Sequence, residues 1–224
     1  MTTTVAIDGP SGAGKSTVGH ALAQRIDATF VDTGLMYRAL TLAALERAVA
    51  LHDGPALAEL AQRSTIAVER PRPDQTDRLE TVLLAGRDVT LDVRTPGVDR
   101  AVSAVSGHPE VRDAMLDPQR SAATQGDVVM VGRDIGTVVL PDATLKVFLD
   151  AAPEVRAARR AAEMDTPDRV DEYLAEILRR DQADATRLAA PLAIPDGALV
   201  LDTGKLGVPE CVKAIVGVLA RVRA

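Results

Sequence analysis

A single cysteine, four lysines and no apolar run approaching the ~18 residues of a membrane span are what this 224-residue sequence has least of. Cys211 has no second thiol to meet, so an internal disulfide is excluded, and its place in an apolar helical stripe marks it as a small core residue rather than a nucleophile. The missing apolar run speaks against a membrane partner. A hydrophobic fraction of 46% and a charged fraction of 26% describe an ordinary soluble globular chain. The opening MTTTVAIDGP lacks a basic region followed by a long apolar stretch and a small-residue cleavage site, so the expected address is cytoplasmic. An excess of positive charge is lacking too: a formal charge of −6 argues against a general affinity for nucleic acid, which rests on Lys and Arg neutralising phosphates. Any basic site is therefore local. With only Lys15, Lys146, Lys205 and Lys213 as lysines, arginine must build most of it, and arginine grips phosphate bidentately where lysine acts as a point charge. His20, His52 and His108 have the spacing of no metal site and read as surface residues.

The length suits one domain with an insertion, or a pair of small lobes. Residues 4–8 read as a short buried strand, and 16–26 carry Val18, Ala21, Leu22 and Ile26 at helical spacing. A second strand over 29–32 and helices over 35–50 and 55–62 follow. Between 64 and 93 the pattern changes: a Pro-rich turn follows 65–69, and β-rich runs flank Gly86-Arg87-Asp88, which predicts a small antiparallel insertion. Helices over 96–106 and 109–124 precede continuous apolar strands at 128–131 and 145–149. Helices over 153–163 and 168–189, a last strand over 198–201 and a helix from Val208 complete the chain, with no repeat and no low-complexity linker. Strands alternating with helices imply an α/β fold, a doubly wound parallel sheet with ligands beyond the carboxyl ends of its strands.

At the first such end stands Gly9-Pro10-Ser11-Gly12-Ala13-Gly14-Lys15-Ser16, which satisfies G-x-x-x-x-G-K-[ST] between a strand and a helix. Glycines let the loop wrap a phosphate closely, backbone N–H groups and the helix N-terminus supply positive potential, Lys15 reaches the β/γ oxygens and Ser16 can ligate Mg²⁺. The motif specifies ATP or a similar nucleotide and says nothing of an acceptor.

Arginines beside glycines and carboxylates recur downstream. Arg133 and Asp134 follow the strand at 128–131 and so fall at a carboxyl end near the phosphate loop, whereas in Gly86-Arg87-Asp88 a hairpin turn explains the same trio. Residue reading alone leaves two classes open: a P-loop kinase for a small acceptor, whether a nucleoside monophosphate such as UMP or a small alcohol, and a nucleotide-gated switch.

Ile7-Asp8-Gly9 through Ser16-Thr17, Asp32-Thr33-Gly34 with Tyr37-Arg38, Gly132-Arg133-Asp134-Ile135-Gly136-Thr137-Val138-Val139, Pro141-Asp142-Ala143 and Phe148-Leu149-Asp150-Ala151 together resemble the bacterial cytidylate kinases over nearly the whole chain. The resemblance implies a P-loop core over about 1–35 and 125–224, an acceptor-binding lobe over about 36–124 carrying the insertion, a helical lid over about 153–170, and a monomer using ATP, Mg²⁺ and CMP or dCMP. It implies that residues 9–17 bind ATP, that Thr33, Arg38 and Arg133 hold the CMP phosphate with Arg180 nearby, that Ser103, Arg112, Asp134 and Arg187 face cytosine, and that Asp184 and Ser11 face the sugar. Lys15, Arg133 and the lid arginines Arg156, Arg159 and Arg160 would meet the ATP phosphates or the group in transfer, although 161–168 is shorter than in longer relatives. A helix-surface hydroxyl also explains Ser103. Leu201-Asp202-Thr203-Gly204-Lys205 resembles the loop that seats adenine, and a plain strand-to-helix turn explains it as well. A nucleoside monophosphate is mostly a dianion at pH 7, its second phosphate pKa lying near ~6, so a strong general base is not expected.

Overall fold

The computed structural model describes residues 2–76, 78–124, 126–187 and 189–222. From the N-terminus, β1 (Thr4–Asp8), α1 (Lys15–Ile26), β2 (Thr29–Asp32), α2 (Thr33–Glu46) and α3 (Gly54–Arg63) lead into three short strands, β3 (Ile66–Glu69), β4 (Thr81–Leu84) and β5 (Arg87–Asp88). Helices α4 (Pro96–Gly107) and α5 (Pro109–Ala122) return the chain to β6 (Val128–Val131) and β7 (Leu145–Asp150). Then come α6 (Pro153–Glu163), α7 (Val170–Thr186), β8 (Leu199–Asp202) and α8 (Val208–Val222). No helix among the described residues is long and apolar enough to cross a membrane.

Five parallel strands form the main sheet in the order β2-β6-β1-β7-β8. The central strand β1 pairs Ile7 with Val131 on one side and Val147 on the other. It reads as a continuous apolar run because helices cover both faces: Leu22 of α1 and Ile215 of α8 pack on one, while Met130, Ile135 and Val139 meet Ala6 on the other. A separate core joins Leu40, Leu57, Val82, Val93, Val105 and Met115 from α2 to α5 and the antiparallel sheet. Each large apolar side chain so enclosed stabilises by about 1.5–3 kcal/mol.

Local chemistry sets the element ends. Asp32 accepts from Gly34 N at 2.9 Å and starts α2 two residues ahead of the expected 35, while Ala48 in the left-handed region stops it short of 50. Asp53 accepts from Ala56 N and starts α3. α5 runs through Pro118, losing one backbone bond without ending. The helix expected over 168–189 is a 3-10 turn at Pro167–Arg169 followed by α7, which stops at Thr186; Leu188 lies outside the described residues. In the insertion, Ala85 and Gly86 are both left-handed, as a two-residue hairpin turn with the right strand twist requires. Arg87 there pairs with Glu46 at 2.6 Å and Asp88 accepts from Thr90, so this Gly-Arg-Asp run is a structural turn.

Candidate active site

The phosphate loop leaves β1 at Gly9, whose left-of-ordinary backbone has φ 151° and passes so close to β7 that a Cβ would lie 2.1 Å from the Leu149 carbonyl oxygen. Only glycine fits there. Gly14, in the left-handed region, caps α1 and turns its first N–H groups toward the loop. Lys15 Nζ donates to the Pro10 carbonyl at 2.7 Å. Ser16 Oγ donates to Asp32 Oδ2 at 2.6 Å, so the carboxylate that starts α2 also holds the phosphate-loop hydroxyl. Burial pushes the Lys15 ammonium down to about 7, the charge of Arg133 adds to this, and Asp32, Asp8 and Asp184 oppose it.

Asp8, fully buried at the end of β1, accepts from Ile135 N and Gly136 N at 2.7 Å each and thereby aims the turn after β6 that carries Arg133 and Asp134. Burial pushes its carboxyl up to about 6 against the pull of those two donors. Thr33 Oγ1 donates to the Val131 carbonyl at 3.0 Å and sits against Gly132, where a Cβ would come within 2.6 Å of that hydroxyl.

Around this floor the arginines are each held by a carboxylate. Arg112 Nη2 lies 2.5 Å from Asp134 Oδ2, its Nη1 donates to Ser106 O, and its guanidinium lies over the Tyr37 ring at 5.4 Å. Arg187 Nη2 is 3.9 Å from Asp134 Oδ1 and is buried without a hydrogen-bond partner, while its Nη1 contacts Asp184 Oδ1 at 3.4 Å. Arg133 Nε donates to Asp184 Oδ2. Arg38 donates to the Val93 carbonyl at 3.0 Å and to Asp99 at 2.5 Å. Arg180 contacts Glu176 at 3.6 Å, and burial, followed by the charge of Arg133, lowers its guanidinium pKa.

One cleft of about 510 Å³ collects Ser11, Gly12, Lys15, Ser16, Thr33, Arg38, Ser103, Arg112, Arg133, Asp134, Arg160, Arg180, Asp184 and Arg187 on its walls. Every residue that the resemblance assigns to an acceptor is therefore on one surface, with Ser103 at the exposed rim. A smaller cavity of about 110 Å³ shares Arg38, Arg160 and Arg180 with it and adds Arg156 and Arg159. The phosphate-loop residues Gly9, Pro10 and Ala13 are buried, and the exposed Thr17 of α1 lines neither cavity.

The three arginines of α6 part company. Arg156 is 3% exposed and fully engaged, with Nε on the Ala151 carbonyl, Nη1 on the Ser11 carbonyl at 3.0 Å and Nη2 on Asp181 at 2.6 Å, so it ties α6 and α7 to the phosphate loop. Arg159 donates to Thr203 Oγ1 and to the Thr203 carbonyl, and Thr203 Oγ1 reaches the Ala13 carbonyl at 3.0 Å. Arg160 is 41% exposed, contacts Asp99 and Glu163 loosely and is the one of the three that enters the main cleft.

Sequence reasoning left Asp8, Asp32 and Asp99 without roles and placed Thr203 only within the run that resembles the adenine loop. Asp8 and Asp32 end parallel strands, and that position was a usable signal. Asp99 carried none, since it meets Arg38 across 61 residues of chain, and nothing in the sequence showed that Thr203 bonds Ala13 across 190. Among the described residues no three His, Cys, Asp or Glu side chains converge as a metal cage. The Ser16 hydroxyl beside the Asp32 carboxylate is a pair of hard oxygen donors that suits Mg²⁺ shared with phosphates and water.

Residues 5–221 match the family model described as cytidylate kinase. Curated relatives named cytidylate kinase include those of Caldanaerobacter subterraneus subsp. tengcongensis, 44% identical over 96% of this chain and 93% of that protein, and Pelotomaculum thermopropionicum, 45% identical over 98% and 96%. A third, from Herpetosiphon aurantiacus, is 46% identical over 98% of this chain and 96% of its own.

Proposed function

The chain belongs to the cytidylate kinase family, and from that premise we propose how its cleft moves the γ-phosphoryl group of ATP onto CMP or dCMP. It is an ATP-dependent nucleoside monophosphate kinase, and residues 36–124 form its acceptor-binding lobe, with 1–35 and 125–224 as the core and 153–170 as the lid. Arg38, Arg133, Arg180 and the N-terminus of α2 at Thr33 face the acceptor's phosphate. Asp184 and Ser11 face its sugar, and Ser103, Arg112, Asp134 and Arg187 its base.

The observation that carries this reading is the buried Arg187 Nη2, a donor without a partner, beside Asp134 Oδ1, an acceptor left over from the Arg112 pair. An unpartnered buried donor costs about 1–3 kcal/mol unless a ligand satisfies it. Cytosine presents a donating exocyclic amine next to ring acceptors, which complements an acceptor next to a donor; uracil presents a carbonyl where the amine stands.

ATP lies along the phosphate loop, with adenine near the loop at Asp202 to Lys205. Ser16 and Asp32 would hold Mg²⁺, directly or through water. When bound there, the ion would supply charge neutralisation to the phosphates. The acceptor's dianionic phosphate attacks in line without a strong base. Lys15, Arg133 and Arg160 offset the charge that gathers on the group in transfer, and the lid keeps out water that would otherwise hydrolyse ATP. We take the enzyme to work as a monomer, on the family resemblance, and in the cytoplasm, on the lack of a visible secretory signal.

A coupled ADP-release assay with CMP, dCMP, UMP, AMP and no acceptor tests the reading. ADP should appear with CMP and dCMP well above the other conditions. Release that ignores the acceptor would overturn it in favour of a nucleotide switch.

A further inference from the structure

Lys15, Arg38, Arg133, Arg160 and Arg180 are five of the eight basic side chains that line one cleft, and neighbouring cations repel unless each is anchored. Asp184, which anchors Arg133, already has a part in the proposed reaction. Asp99 does not. It stands in the first turn of α4, where its Oδ1 takes Arg38 Nη2 at 2.5 Å and its Oδ2 lies 3.4 Å from Arg160 Nη2. One carboxylate thus touches an arginine from α2 and another from α6.

The two contacts differ in quality. Arg38 and Asp99 are each 22% exposed, their bond is short and charge-assisted, and a second bond from Arg38 Nη1 to the Val93 carbonyl fixes the guanidinium plane. Arg160 is longer from Asp99, more exposed, and shares itself with Glu163 at 3.6 Å, so it can leave. In Arg38, Nη1 and Nη2 each commit one N–H, while Nε and one hydrogen of each terminal nitrogen stay free. A guanidinium clamped in this way meets an anion without first losing its own rotamer freedom.

We propose that Asp99 is a positioning residue for acceptor binding: it holds Arg38 so that the remaining N–H groups face the acceptor's phosphate. This rests on the placement of Arg38 given above. Asp99 acts through Arg38 and is given no part in the chemistry.

The experiment compares Asp99→Asn, Asp99→Glu, Arg38→Ala and the double variant Arg38→Ala with Asp99→Asn, each by steady-state kinetics in CMP and in ATP and by thermal denaturation. Asp99→Asn should raise KM for CMP about tenfold, leave KM for ATP within about twofold and leave Tm unchanged. Asp99→Glu, which restores the charge, should recover part of the loss, and the double variant should be no worse than Arg38→Ala. If Arg38→Ala raises KM for CMP but Asp99→Asn leaves it unchanged or lowers it, the positioning role fails alone, a lowered value marking Asp99 as a competitor of the phosphate. Independent, multiplicative losses in the double variant, or an equal rise in KM for ATP, also overturn it. No effect of Arg38→Ala on CMP overturns the placement of Arg38 and this inference with it.

Discussion

Arg112 Nη2 lies 2.5 Å from Asp134 Oδ2 with both side chains buried, which turns the other carboxylate oxygen toward Arg187, 3.9 Å away. Under the proposed function, Asp134 spends one oxygen on Arg112 and offers the other to the base. Asp134→Asn should lower kcat/KM for CMP and narrow its advantage over UMP, because an amide can turn its NH₂ toward the uracil carbonyl. A contact of this type is worth about 1–3 kcal/mol of discrimination. Measured kcat/KM for both acceptors decides the matter. Equal proportional losses would mean that Asp134 serves only to anchor Arg112.

Lys15→Ala should abolish phosphoryl transfer and leave the fold intact, since Nζ bonds only the carbonyl of its own loop at Pro10 and supports no distant element. Activity and circular dichroism on the same preparation check this. A well-folded variant with near-normal turnover would remove Lys15 from the mechanism.

Glu80 gives a pH prediction. Both of its carboxylate oxygens are buried without a hydrogen-bond partner, with Arg94 Nη2 at 3.7 Å, and burial, reinforced by the charge of Asp32, pushes its pKa up to about 7 from 4.5. A carboxyl whose folded pKa lies above its unfolded value stabilises the fold most below the unfolded pKa, and that contribution fades as pH rises through the folded one. Stability from this group should thus decline between about pH 5 and pH 8, by on the order of 3 kcal/mol. Denaturant unfolding of wild type and Glu80→Gln at both pH values tests it: the variant should be the more stable at pH 8 and nearly equal at pH 5. A variant that loses stability at pH 8 would show that ionised Glu80 is held by favourable contacts.

Thr203 joins the loop after β8 to the phosphate loop and to Arg159 through a single hydroxyl. Thr203→Val keeps the shape and leaves Arg159 Nη1 and the Ala13 carbonyl short of a partner, which should cost about 1–3 kcal/mol. KM for ATP should rise several-fold with KM for CMP little changed. Calorimetry and two-substrate kinetics would refute the coupling if stability fell while both KM values stayed put.

Local rules carried much of the fold. The run at 128–131 is apolar throughout because a strand covered on both faces needs no alternation, and the phosphate loop was legible because Gly9, Gly14 and Lys15 answer to backbone approach, helix capping and phosphate charge, all within a few residues. Gly86-Arg87-Asp88 could be set aside as a hairpin for the same reason: its turn chemistry is local. The residue set of the acceptor cleft came from a resemblance, and the sequence itself held no measure of which arginine meets which carboxylate. That was decided by tertiary structure. Arg156, Arg159 and Arg160 share one helix and one composition, yet Arg156 is locked on Ser11 and Asp181, Arg159 on Thr203, and Arg160 alone reaches the cleft. Asp99 meets Arg38 across 61 residues and Thr203 meets Ala13 across 190, distances along the chain that no spacing rule spans. Periodicity and turn chemistry act between near neighbours, whereas the partner of a charged side chain is set by which elements pack together around two separate cores, and by which carboxylate that packing brings within reach.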